Sequence, residues 1–145
     1  MTSGKIEQQS CDLGDVERWT FDRFITGSLI GSTLIELSPE MIRLWELIYG
    51  SEHLKDGMPR GLAQVIIMSA YTQAVKPRPP GNLHIGQYIK MHSVPKVGEQ
   101  MSCEVVCVDK FKKKGMSIVI FEVDVAMMST NALLFTGRLT ISWAG

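Results

Sequence analysis

The strongest constraint on this chain is a run of fourteen residues without a charge, Leu62 to Val75, placed directly after Arg60 and Gly61. Written out, LAQVIIMSAYTQAV has Gln64, Ser69, Thr72 and Gln73 as its polar positions. A buried strand of that length is disfavoured, because strands usually stop at about 4–8 residues, whereas a helix apolar almost all round is one buried on most sides. The segment is therefore expected to be a helix gripped by other structure, with its first turn facing a pocket. KPRPPGN follows, and its three prolines and glycine end the helix.

Beyond Asn82 the period of the apolar residues changes to two. Leu83, Ile85, Gln87, Ile89 and Met91 alternate with His84, Gly86, Tyr88, Lys90 and His92. Met101, Cys103, Val105 and Cys107 form a second alternating set, and Val119, Phe121, Val123 and Val125 a third. Leu133, Phe135, Leu139, Ile141 and Trp143 complete them. Period-two runs are strands with one apolar face, and the short connections KFKKKG and MSTNA predict an antiparallel meander for the last three. Upstream, residues 18–37 predict an extended lead-in and a short strand anchored by Trp19, Phe21 and Phe24. LSPEMIRLWELIYG predicts a second helix, with Ser38 as cap, Pro39 in the first turn and Gly50 as the stop. Met41, Leu44, Trp45 and Ile48 fall on one stripe of it and are expected to be buried.

At 145 residues the chain fits one domain, residues 18–145, after a polar and mobile segment 1–17. Lys plus Arg and Asp plus Glu are both 15, so the net charge is zero and nothing global favours nucleic acid or an anionic membrane. No apolar stretch approaches the roughly 20 residues of a membrane span, and the polar start lacks a signal-peptide core, so a cytoplasmic location is expected. Cys103 and Cys107 share a strand face and read as core residues; zinc would need further Cys or His at ligand spacing, and no metal or cofactor is expected. Nucleotide-binding and nucleophile-elbow motifs are absent from the sequence.

Two stretches carry a resemblance to a known family. GMPRGLAQVIIMSAY is similar to the segment in which the MaoC-like branch of the hotdog superfamily opens its central helix. The stretch from Val94 to Ala144 resembles that family's tail: its Pro-x-x-x-Gly-[Asp/Glu] turn is matched by Pro95-Lys96-Val97-Gly98-Glu99, one residue shorter between Pro and Gly, followed by a charged hairpin and a last strand with Gly137 just after Thr136. The resemblance covers roughly residues 18–145. It implies an α+β hotdog fold, a long central helix wrapped by a curved antiparallel sheet. It implies hydration or dehydration of enoyl or 3-hydroxyacyl thioesters of coenzyme A or acyl carrier protein, in a homodimer, a higher oligomer or a hetero-oligomer with another hotdog subunit. It also implies an Asp followed five residues later by a His, then a His-Gly pair opening the helix.

This chain departs from that pattern. The preceding loop reads YGSEHLKDGMPRG, with Ser51 or Glu52 nearest the Asp and His53 the nearest imidazole, and Arg60-Gly61 stands where the family has His-Gly. Arg60 is the candidate to meet a thioester oxygen, a carboxylate or a phosphate, with the amides of Gly61 and Leu62 adding the positive end of the helix dipole. A solvent-facing arginine paired with Glu52 or Asp56 is the competing reading. His53 and Asp56 are candidates for a displaced acid–base pair, and His84 for a third catalytic group, since imidazole titrates near neutral pH. A hydrogen-bonded histidine at a strand edge or dimer interface competes with that role for His84. Tyr49 and Tyr71 read as packing residues, and the four lysines of KFKKKG either attract coenzyme A phosphates or tip a solvated hairpin. Three functions follow: a hydratase or dehydratase with relocated groups, a non-catalytic partner of a catalytic subunit, or a thioesterase. The last is weakened by the lack of a carboxylate in residues 61–75.

Overall fold

The computed structural model describes residues 17–50 and 58–145. Strands β1 (Leu29–Glu36), β2 (Leu83–Met91), β3 (Gln100–Lys113), β4 (Met116–Met127) and β5 (Leu133–Trp143) form one antiparallel sheet in the order β1-β3-β4-β5-β2. Helix α1 (Pro39–Tyr49) follows β1, and helix α2 (Leu62–Ala74) lies on the concave face of the sheet. The meander β3-β4-β5 is as expected, and β1 and β2 close its two edges.

The central helix is shorter and less enclosed than its composition suggests. It has 13 residues, or about 20 Å at 1.5 Å per residue. Leu62, Ala63, Ile66, Ile67, Ala70 and Tyr71 are buried, but Val65 remains 47% exposed and Gln73 is exposed. The sheet covers one side of the helix, and on the other Val65 and Gln73 stand open among half-buried Gln64, Met68, Ser69 and Thr72. At its far end Arg78 Nη1 donates to the carbonyls of Thr72 at 3.0 Å and Val75 at 2.7 Å, satisfying acceptors that a helix end leaves open.

Close approach of this helix requires a gap in the sheet. A Cβ built on Gly137, in the middle of β5, would stand 2.8 Å from Ile67 Cγ2 and 3.0 Å from Cγ1. The glycine after Thr136 is thus explained by the side chain that fills its place.

Met101, Cys103, Val105 and Cys107 line the concave face of β3, as the alternation predicts, with Val119, Phe121, Val123 and Val125 beside them on β4. Phe24 is buried under them, stacked on Trp19 at 4.8 Å and edge-on to Phe121 and Trp143. Burial raises the pKa of the Cys103 thiol, and of the Tyr71 phenol on α2, to about 12 each, and raises that of Cys107. Both thiols are free. A raised pKa in the folded state keeps the proton on the native protein while the unfolded chain loses it. Stability from these groups is intact below the unfolded thiol value of about 9 and is lost as pH climbs towards 12. The melting temperature should therefore fall between those limits, as followed by circular dichroism; Cys103→Val should soften the fall at its lower end.

Four expectations need correction. In α1 the Ser38 hydroxyl caps Met41 N at 3.2 Å and Gly50 closes the helix as predicted, but Leu44 and Ile48 of the expected buried stripe are exposed. Met41 and Trp45 of that stripe do pack on the core, joined by Ile42, because the later part of α1 extends beyond it. A register shift between Val125 and Ala126 changes the phase of β5, so Leu134 is buried and Leu133 is not. A second shift between His84 and Gly86 leaves Leu83 and Ile85 exposed and puts His84 opposite Ile141, on the helix side of the sheet and not its polar side. Finally, Lys110–Lys113 belong to β3. The β3–β4 turn itself is Lys114-Gly115, both at positive φ (51° and 79°), as two-residue hairpins require.

Candidate functional site

A cavity of about 580 Å³ opens where α1, the approach to α2 and the segment after β2 meet. Trp45 and Tyr49, one helical turn apart on α1, form one wall, with ring centroids 4.2 Å apart and planes tilted by 35°. Met58 and Pro59, both buried, contribute with Val94, and Arg60 and Gly61 bring in the start of α2. Gly61 is what lets the two helices touch: a Cβ there would stand 2.6 Å from Trp45 Cζ2 and collide with Cη2. The residue pair singled out in the sequence therefore does border a cavity, with Arg60 exposed at it.

The helix start is less open than expected. Leu62 N donates to Pro59 O at 3.0 Å and Ala63 N to Arg60 O at 3.1 Å, a tight turn that uses both amides, and the Leu62 side chain is buried. The Gly61 amide has no backbone acceptor among the described residues outside the helix. Arg60 has no ion pair with any described residue; its expected partners Glu52 and Asp56 lie outside them, as do the acid–base candidates His53 and Asp56.

His84 stands elsewhere. Thr33, Cys103, Val125, Phe135 and Met91 are in register across the cavity end of the sheet, whereas Lys110, Val119, Ile141 and His84 form another row. From Val119 to Val125 the rows are about 20 Å apart at ~3.4 Å per residue. His84 and Arg60 of one protomer are not brought together. The lysine hairpin is also at the far end. Lys110 Nζ donates to Phe21 O at 3.0 Å and Lys112 lies 5.5 Å over the Phe21 ring, so these two pin the lead-in segment and do not border the cavity.

The residues missed were the cavity's own walls. Trp45 does pack against the core as its stripe predicts, but it also borders the cavity, and Tyr49, expected to pack, is 61% exposed and pairs with it. Their i, i+4 spacing was the available signal. Tyr71, by contrast, is buried in the core 5.0 Å from Phe121. Among the described residues no cluster of His, Cys, Asp and Glu is placed to hold a metal ion, and no helix is long and apolar enough to cross a membrane.

No protein-family model matches the sequence, and no curated protein does. Solved structures do. The MaoC-like dehydratase from Rhodospirillum rubrum superposes with a TM-score of 0.71 at 11% identity, over 86% of this chain and 96% of that one. A hot-dog-like protein from Thermanaerovibrio acidaminovorans does so with 0.63 at 11%, over 84% of each chain. The fold is a hotdog. A third similar structure is the C-terminally truncated HadBC (3R-hydroxyacyl-ACP dehydratase) complex from Mycobacterium tuberculosis, with 0.67 at 12% identity, over 81% of this chain and 96% of that one. At these identities the likeness establishes the hotdog architecture, on which many activities are built.

Proposed function

We propose that this hotdog chain is a MaoC-like acyl-thioester-binding protein of the hydratase and dehydratase kind, acting on enoyl or 3-hydroxyacyl groups carried by coenzyme A or acyl carrier protein. The observation that supports it most is the cavity at the start of the central helix with Arg60 at it, on the fold shared with a MaoC-like dehydratase and a 3R-hydroxyacyl-ACP dehydratase complex. In hydration, water oxygen adds to Cβ and a proton to Cα, through an enolate whose oxygen needs a fixed positive partner. Arg60 with the Gly61 amide fills that role in this proposal. His53 and Asp56 are the proposed acid–base pair; their loop, 51–57, joins Gly50, next to the cavity residue Tyr49, to the cavity residue Met58. His84 is proposed to act across a subunit boundary, because it sits on β2, whose outer edge is unpaired among the described residues.

That edge, with Leu83, Ile85 and Tyr88 exposed along it, supports assembly with a second hotdog subunit, the same chain or another. The second reading, a non-catalytic subunit whose partner supplies the acid–base pair, is favoured by the sequence itself: no Asp is followed five residues later by a His, and Arg60-Gly61 stands where the family has His-Gly. One assay separates the two. The purified chain is mixed with crotonyl-coenzyme A and the enoyl absorbance is followed. Turnover that falls by about 10²–10⁴ in His53→Ala supports catalysis by this chain. Turnover that appears only on adding a second hotdog subunit supports the partner reading, and release of free thiol without loss of the double bond would replace both with a thioesterase.

A further inference from the structure

Resting on the thioester reading above, we infer that the cavity selects a planar, ring-bearing acyl group, such as an arylpropenoyl, over a linear one. The Trp45–Tyr49 pair is the reason. Large aromatic side chains tend to be buried in a core, yet here two stand on the wall of a cavity, Tyr49 with most of its surface exposed, and they pack on each other with their planes tilted by 35°. Aromatic faces prefer other flat rings, stacked or edge-on, with centroids 4.5–7 Å apart. A flexible alkyl chain gains no such geometry from them and must be ordered to lie there.

The position of the pair relative to Arg60 sets which part of the ligand it meets. The edge of the Trp45 indole lies against Gly61, in the space where any other residue would carry its Cβ. A thioester carbonyl held by Arg60 and the Gly61 amide is therefore within one short spacer of the indole. Carbons one to three bonds beyond the carbonyl pass Trp45, and a ring attached there falls on the aromatic wall. Met58, Pro59 and Val94 supply apolar surface to the same cavity, and its volume of about 580 Å³ is in the range of small-molecule sites, ~300–1,000 Å³. The other tryptophans are elsewhere: Trp143 is buried with its indole N–H donated to Trp19 O at 2.8 Å. The quenching that disappears in Trp45→Leu is thus the part that reports on this site.

Binding of cinnamoyl-coenzyme A and of trans-2-hexenoyl-coenzyme A is measured by tryptophan quenching and calorimetry on the whole chain, with coenzyme A as control. The aromatic thioester should bind about tenfold more tightly. Trp45→Leu should narrow the difference to within about threefold. Tyr49→Ala, which removes an exposed side chain, should narrow it in part and serves if the Trp45 variant folds poorly. Equal affinities, or a preference for the linear chain, overturn the selectivity and leave the thioester proposal standing. If neither thioester binds, the thioester proposal fails. The free acids then decide on the wall: cinnamate bound in preference to hexanoate, with the preference lost in Tyr49→Ala, sustains it, and no preference ends it.

Discussion

Replacing Gly137 by valine should cost about 3 kcal/mol or more of folding stability, the largest loss expected from any single added side chain in the sheet. Even the alanine Cβ would press into Ile67, whose Cγ2 and Cγ1 stand 2.8 and 3.0 Å from its ideal position, and Ile67 is fully buried with nowhere to turn. Gly137→Ala alone should therefore cost about 1–3 kcal/mol, the usual range for overpacking a close-packed core. Ile67→Ala alone should cost about 2–5 kcal/mol through its cavity. Combined, the two should be less than additive, because the truncated helix side chain makes room for the new methyl group; a coupling of about 1–3 kcal/mol in a denaturant double-mutant cycle checks this. Strict additivity would mean that the helix does not press on β5 at this point.

How much of this architecture the sequence discloses depends on what signal each element carries. The central helix and the β3–β5 meander were legible because charge-free length and period-two alternation are strong local patterns, and the cap at Ser38 and the stop at Gly50 follow from side-chain chemistry alone. The errors fall where one residue of register decides. The irregularities at Ile85 and at Val125/Ala126 shift the pattern by one position without changing composition, so Leu133 and His84 were put on the wrong faces. The exposed half of α1 was missed for a different reason. An apolar stripe shows that a helix wants cover, not that its own protomer supplies it, and Leu44, Leu47 and Ile48 stay open. At the candidate site, the place of Arg60 and Gly61 before a buried helix puts them beside the cavity, whereas Trp45 and Tyr49 give no such signal, since an aromatic residue at helical spacing reads as core until the fold shows a cavity beside it.

Arg60→Met should weaken binding of coenzyme A thioesters by about 10–100-fold while leaving the melting temperature nearly unchanged. The two halves of this prediction have separate grounds. A hydrogen bond to a charged group is worth about 1.5–3 kcal/mol, one to two decades in affinity, and the methionine keeps the apolar stem while removing the guanidinium. Stability is spared because the Arg60 side chain is exposed and forms no ion pair with a described residue, and surface changes of this kind stay within about 0.5 kcal/mol. Arg60→Lys should fall between, since an ammonium keeps the charge but not the two-pronged donor geometry. Raising the salt concentration should weaken the wild-type complex more than the Met variant, because the Arg60 contact is then absent. Calorimetry on the three proteins decides: affinity unchanged in Arg60→Met, with the fold intact, would remove the helix start as the thioester site and move the search to the unpaired β2 edge around His84.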